Sequence, residues 1–243
     1  MKVSRNELTA SLKKAFEGLG FSVGDYQDAA AMVIWSQMHG FNGLEQLNLA
    51  LPFLNNCLCL HAQLVSNGDQ QALLDGQSSS VLLCGSQTVR LACALARQYG
   101  HGFVQLDNCY NRLLIIQRLV SAAQSGTALA AYWEQGSSGF KVTIEAHAKH
   151  PEYSQYTLPT QSDNQSLMIF AGEDMVSVEQ QFVSQISLDS PVSRVQSESM
   201  VDSYEHCLEQ GIEIDETLWH KLDNLVARVL VESTESSRAG AGD

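Results

Sequence analysis

Gly100-His101-Gly102-Phe103-Val104-Gln105-Leu106-Asp107-Asn108 is the stretch on which the fold turns. Two glycines flanking His101 let the chain reverse, four strand-forming residues follow, and Asp107-Asn108 ends the run with turn-forming side chains. Upstream, Ser80 to Leu83 reads as a short strand, and Ser86 is placed to cap a helix carrying Val89, Cys93, Ala96 and Tyr99. Downstream, a helix covers Arg112 to Gln124, and Thr127 to Tyr132 supplies a further strand after Gly126. This β-α-β-α-β rhythm is that of an α/β sheet, with these strands expected as parallel neighbours.

Working outward, the alternation Phe140, Val142, Ile144, Ala146 after Gly136-Ser137-Ser138-Gly139 marks a half-exposed strand, with Leu167 to Phe170 expected as its partner across a polar connection. That makes the sheet mixed, flanked by helices. Ser187 to Ser199 reads as a crossover, and the helix after it is stopped by Gly211; Asp215 then caps a last helix bearing Leu218, Trp219, Leu222, Leu225, Val226 and Val229. The N-terminal part is helical. Ser4 and Glu7 form a capping box ahead of Leu8, Leu12 and Phe16; a second helix runs from about Asp25 to Met38 and closes at Gly40; a third, from Gly43 to about Asn56, carries Leu44, Leu47, Leu51 and Leu54 on one stripe. We read one α/β domain over 1–234, with helical 1–56, sheet-containing 80–171 and C-terminal helices in 199–232, followed by a flexible or arm-like tail at 235–243.

With 243 residues and 44% hydrophobic composition, the chain can bury a sizeable core. No apolar run is long enough to span a membrane, and the N-terminus lacks the apolar centre of a signal peptide, so a cytoplasmic protein is expected. Fourteen basic residues against twenty-seven acidic ones leave a net charge of −13, which repels phosphate backbones and argues against nucleic acid as a partner. Six cysteines lie mostly in apolar runs and read as buried thiols. Cys57 and Cys59 are closely spaced but lack the second pair that zinc requires, and no metal is expected.

Several segments resemble the malate/L-lactate dehydrogenase family, non-Rossmann enzymes that reduce 2-oxo acids with a nicotinamide cofactor. They are Val3-Ser4-Arg5-Asn6-Glu7-Leu8, the run from Leu74-Asp75-Gly76 to Ala94-Leu95-Ala96, His101 to Asn108, and Glu209-Gln210-Gly211-Ile212-Glu213-Ile214 with Leu218-Trp219 and Leu222. The tail Glu235 to Gly242 resembles that of a related bacterial family of unknown function. The resemblance implies a shortened version of the dehydrogenase scaffold. Family members carry Ser-His-Gly shortly after the second helix; counting from Gly40, those positions fall on Gly43, Leu44 and Glu45, and the arginine expected after them falls on Asn48. A second family histidine falls near Asn111. Leucine transfers no proton, and asparagine is no general acid at neutral pH. The long central region that forms the family's cofactor site has no counterpart of similar length between Trp133 and Leu188.

Candidate sites follow from where strands end. Asp107, Asn108, Tyr110, Asn111 and Arg112 cluster at the end of a βα strand, where open α/β sheets bind ligands, and Arg112 could hold an anion. The bland alternative has Asp107 and Asn108 capping a helix, Cys109 buried and Arg112 solvated. His39, His101 and Cys109 are the weak candidates for acid, base or nucleophile. Glu145, His147 and His150 at a strand end could form a metal site or simply be exposed. The Leu44 to Leu54 stripe, larger than one helix needs, suggests a homodimer. Function is therefore expected to be that of a non-catalytic or accessory relative of 2-oxo acid dehydrogenases, with no cofactor required; the alternative is an NAD(P)-dependent oxidoreductase or other enzyme of a small anionic metabolite whose chemistry has relocated.

Overall fold

Ser4 opens the first helix as its capping box requires: the Glu7 amide donates to Ser4 Oγ at 3.2 Å and the Ser4 amide donates to Glu7 Oε2 at 2.7 Å. The computed structural model describes residues 1–55 and 61–229. Cys57, Cys59 and the tail at 235–243 lie outside the described residues. Strand β1 (Lys2–Val3) precedes α1 (Arg5–Gly18), α2 (Val23–Met38) and α3 (Gly43–Asn55). Gly40, with φ +82°, reverses the chain after α2 as a left-handed residue. Leu44, Leu47, Leu51 and Leu54 are all buried in the chain's own core, so the stripe that suggested a dimer is already covered within one chain.

The next segment differs from the sequence reading. Gln63–Asn67 (β2) and Gln71–Ser80 (β3) form an antiparallel hairpin ahead of the 80–171 segment to which the strands were assigned, and Val81 begins the helix α4 (Val81–Tyr99) instead of lying in a strand. The reason is local. A three-residue apolar run fits both periodicities, and it is Ser80, extended and accepting from the Leu82 amide at 3.4 Å, that caps the helix, not Ser86.

Strand β4 (His101–Tyr110) lies parallel to β3, completing one βαβ unit with α4 between them. A 3-10 turn (Arg112–Ile115) leads into α5 (Ile116–Gln124), and then come β5 (Ala128–Ile144), β6 (Glu152–Ser162), β7 (Leu167–Gly172), α6 (Met175–Gln185), β8 (Ser193–Val195), α7 (Ser197–Gln210), β9 (Ile212–Glu213) and α8 (Glu216–Val226). Asp215 caps α8 through the Leu218 amide at 3.1 Å, as expected. The main sheet runs β2-β3-β4-β7-β5-β6-β8, and β1 pairs with β9 in a separate two-stranded sheet.

Two expected pairings are corrected. β5 is not a neighbour of β4, because β7, apolar along its length, is inserted antiparallel between them. The partner of the Phe140 half of β5 is β6, read from sequence as a polar connection because only Ser154 and Tyr156 within the strand are buried. Gly136 and Ser138 do not end β5; they mark a shift of register within one 17-residue strand.

Alternation along β5 sends Leu129, Ala131 and Trp133 to a large core against the N-terminal helices, α4 and α5, and Ala128, Ala130 and Tyr132 to a smaller aromatic core with Phe103, Phe170, Phe182 and Val178. Each fully buried Leu or Phe of these cores contributes about 1.5–3 kcal/mol relative to exposure. Among the described residues, no helix is long and apolar enough to cross a membrane.

Candidate functional site

The end of β4 brings most of the expected ligand residues together and engages the side chains of Asp107, Asn108, Tyr110 and Arg112 internally, while Asn111 Oδ1 is buried without a hydrogen-bond partner among the described residues. Asp107 Oδ1 accepts from Gln105 Nε2 at 2.7 Å and Ser166 Oγ at 2.5 Å; Asn108 Nδ2 donates to Asp75 Oδ1 at 3.0 Å. Tyr110 stacks on Phe53 at 4.3 Å between centroids. Cys109 is buried with its Sγ 3.5 Å from that of Cys84, and burial pushes its thiol well up, so it is a poor nucleophile. Arg112 is not solvated: at 5% exposure, its guanidinium donates to the Asn164 carbonyl at 2.6 Å and the Ser166 carbonyl at 3.3 Å. Neither Asp107 nor Asn108 caps a helix; Asn111, left-handed at φ 58°, precedes the 3-10 turn. Gln77, Ser78 and Asn108 share that left-handed conformation, which places local strain at the C-terminal end of the parallel pair β3 and β4. His101 sits at the other end of β4, six to nine residues and so roughly 20–30 Å from the members of this cluster on the strand.

Glu145 and His150 line one cavity of about 520 Å³ with Glu152, Glu198 and Arg194 on its walls. His147 is not their neighbour on a strand. The strand ends at Ile144, and His147, at φ 64°, lies in a turn with its amide donating to the Ala123 carbonyl. Among the described residues, no three His, Cys, Asp or Glu side chains are grouped as a metal would require.

Positions 43 to 48 start α3 at a close crossing with α2. A Cβ on Gly43 would stand 2.1 Å from the Val33 carbonyl oxygen and 2.6 Å from the Gln37 amide nitrogen, so only glycine fits here without backbone movement. The Leu44 amide donates to Gln37 Oε1 at 3.0 Å, and the Leu44 side chain is buried. Outside this crossing lies a cleft of about 380 Å³ walled by Leu44, Asn48 and Leu218 and by three carboxylates, Glu45, Glu213 and Asp215, with no lysine or arginine in its lining. The Asn48 side chain accepts from Lys221 Nζ at 2.9 Å.

His39 belongs to a different cavity. It follows α2 at 9% exposure, stacked on Trp35 at 4.1 Å, with Tyr204 at 5.2 Å and His150 at 6.2 Å between ring centroids. Its Nδ1 lies 2.8 Å from the Trp35 carbonyl oxygen; since a carbonyl only accepts, Nδ1 carries the proton. Burial lowers the His39 pKa; the Trp35 carbonyl opposes the shift, and the neighbouring His150 and Arg5 add to it. The cavity, about 250 Å³, is lined by Arg5, Thr9 and Lys13 of α1, by Ile34, Trp35 and Met38 of α2, and by Tyr204 of α7, not by Arg112. Sequence reasoning missed this gathering. The one signal available was the polar i, i+4, i+8 spacing of Arg5, Thr9 and Lys13 on the first helix.

A family model described as protein of unknown function (DUF3726) matches residues 3–91. No curated protein matches the sequence. Among solved structures, the malate dehydrogenase of Pyrococcus horikoshii OT3 is similar at 15% identity and TM-score 0.67, covering 96% of each chain. A dehydrogenase from Sinorhizobium meliloti is similar at 12% identity and TM-score 0.67, covering 93% of this chain and 99% of that one. The sulfolactate dehydrogenase of Methanocaldococcus jannaschii is similar at 11% identity and TM-score 0.62, covering 94% and 97%. The fold is thus the malate/lactate dehydrogenase-like one, and the likeness spans nearly the whole of both chains.

Proposed function

We propose that this protein is a non-catalytic or accessory relative of the 2-oxo acid dehydrogenases, a cytoplasmic scaffold kept for association and for binding a small anionic metabolite. The observation that carries this reading is the α2–α3 crossing. Where the family resemblance puts a proton donor and a carboxylate-binding cation, this chain has Gly43 closed against the α2 backbone, Leu44 buried, and a cleft whose charged side chains are all acidic. Reduction of a keto acid needs a proton donor beside the carbonyl, which the lining of this cleft lacks, and its carboxylates disfavour an anionic substrate or pyrophosphate, with Lys2 engaged by Glu213 and Lys221 by Asn48. These residues do not fit a nicotinamide cofactor poised over a 2-oxo acid, and no step is routed through one.

A homodimer belongs to the same reading. Its support is edge strand β2, whose five residues are uncharged and exposed, Leu64 and Val65 among them, with one hydrogen-bonding edge unpaired among the described residues. Titrating the purified chain with NADH and NADPH and assaying oxidation of either with a panel of 2-oxo acids should give no saturable binding and no turnover, while light scattering on the same sample gives the mass of a dimer. Saturable nucleotide binding with turnover overturns the non-catalytic reading, and a monomer at micromolar concentration removes the dimer from it.

A further inference from the structure

The His39 cavity combines features that the acidic cleft lacks. In a chain with twenty-seven carboxylates and a net charge of −13, its lining contains two cationic side chains and no carboxylate. Lys2, Arg90, Arg118 and Lys141 each lie within ion-pair distance of an acidic residue, whereas among the described residues neither Arg5 nor Lys13 does. They stand eight residues apart on α1, with Thr9 between them, and so share one face of the helix. Opposite this polar wall, Ala31, Ile34, Trp35 and Met38 form the apolar stripe of α2, and Tyr204 and the stacked His39 ring extend the aromatic surface. A polar edge facing an apolar bed, in a concavity that reaches solvent at the exposed Arg5, is the usual build of a small-molecule site. Size agrees: a cavity of about 150 Å³ accepts a benzene ring, and this one, at about 250 Å³, has room for a ring and a charged group.

We propose that the cavity between α1, α2 and α7 binds a small organic carboxylate with an apolar body, its charge held by Arg5 and Lys13 and its body laid against Trp35, Ile34 and Met38. The arrangement deepens the accessory reading by giving its small anionic ligand a site, away from the cleft where the resemblance places keto-acid chemistry. Arg5 and Lys13 are in different regimes: Arg5 is exposed at the rim, and Lys13, half-buried, sits deeper along the helix. Each charge-assisted contact made away from bulk water contributes enough that losing one weakens binding roughly tenfold.

The test uses the full chain and three probes: phenylacetate, which has both charge and ring; benzyl alcohol, which has the ring alone; and inorganic phosphate, which has the charge alone. The readout is the Trp35 indole signal in NMR, assigned with Trp35→Phe. Phenylacetate should shift that signal saturably, with the other two at least tenfold weaker; Lys13→Ala should weaken phenylacetate about tenfold, and Arg5→Ala, at the solvent-screened rim, by about two- to fivefold. Neither side chain makes another hydrogen bond or ion pair among the described residues, so both variants should keep the parent melting temperature, and Lys13→Arg should keep binding. Absence of a saturable shift with phenylacetate, equal binding of phosphate or benzyl alcohol, or full affinity in both alanine variants overturns the proposal. The accessory reading fails instead on nicotinamide turnover, so the two failures are distinguishable.

Discussion

Replacing Arg112 with methionine separates a binding role from a structural one. Methionine keeps most of the apolar stem and removes the guanidinium, which donates to the carbonyls of Asn164 at 2.6 Å and Ser166 at 3.3 Å. Hydrogen bonds from a charged donor contribute about 1.5–3 kcal/mol each, but the two carbonyls respond differently. Asn164 lies on an exposed residue and can take up water, whereas Ser166 is 8% exposed and its carbonyl is left unpaired. Against this stands the relief of a buried charge: burial already lowers the Arg112 pKa, which marks a desolvation cost that the variant no longer carries. The balance is a loss of about 2–3 kcal/mol. For a chain of this size that corresponds to a drop of roughly 4–12 °C in Tm. Urea denaturation followed by tryptophan fluorescence should show the midpoint falling at unchanged slope, and Arg112→Lys should not restore it fully, because the shorter lysine stem ends one bond short of the position from which Nη1 donates to both carbonyls. An Arg112→Met protein with the parent midpoint refutes the reasoning and returns Arg112 to the list of free anion-binding residues.

Two further outcomes are expected. Gly43→Ala should destabilise by about 2–3 kcal/mol in the same denaturation assay, because its Cβ would stand 2.1 Å from a backbone oxygen of α2 that has no rotamer to yield; a neutral result would show that the helix crossing is looser than described. The lowered His39 pKa means that the unfolded chain binds the proton more readily, so the contribution of His39 to stability is present above the ordinary value of 6.5 and is lost as pH falls through the lower folded value. The groups facing it are Arg5 from α1, His150 from the segment between β5 and β6, and Tyr204 from α7. Between about pH 7.5 and about pH 5.5, His39→Gln should show a smaller fall in Tm than the parent; equal slopes would mean that another group carries the dependence.

What the sequence disclosed depended on the range of the interaction. Ser4, Gly40, Gly211 and Asp215 were legible as helix ends because capping is settled within four residues, and the leucine stripe of α3 because a helix repeats its buried face. β6 was not legible, since a strand whose interior burial is confined to Ser154 and Tyr156 has no apolar signature, and Val81-Leu82-Leu83 was misread because three apolar residues carry no period. The cluster at Asp107 to Arg112 was correctly located at a strand end, but its partners, Asp75, Asn164 and Ser166, lie 33 to 59 residues away in the chain and decide whether its side chains are free. The Arg5–Lys13–His39 cavity is closed by Tyr204 of α7, far along the chain from α1 and α2, and the polar spacing of Arg5, Thr9 and Lys13 does not by itself show what that face meets.

The two faces of the sheet are unequally guarded. The larger core is held by several helices, whereas Phe103, Phe170 and Tyr132 on the other face are roofed chiefly by α6, eleven residues that anchor through Val178 and Phe182 and leave Val176 and Val183 in solvent. Lys141 ties that roof down through Glu179 at 2.7 Å and sits over the Phe182 ring. Fraying of α6 would uncover an aromatic sheet surface at a cost below that of global unfolding, which makes this roof the expected first site of proteolysis and aggregation.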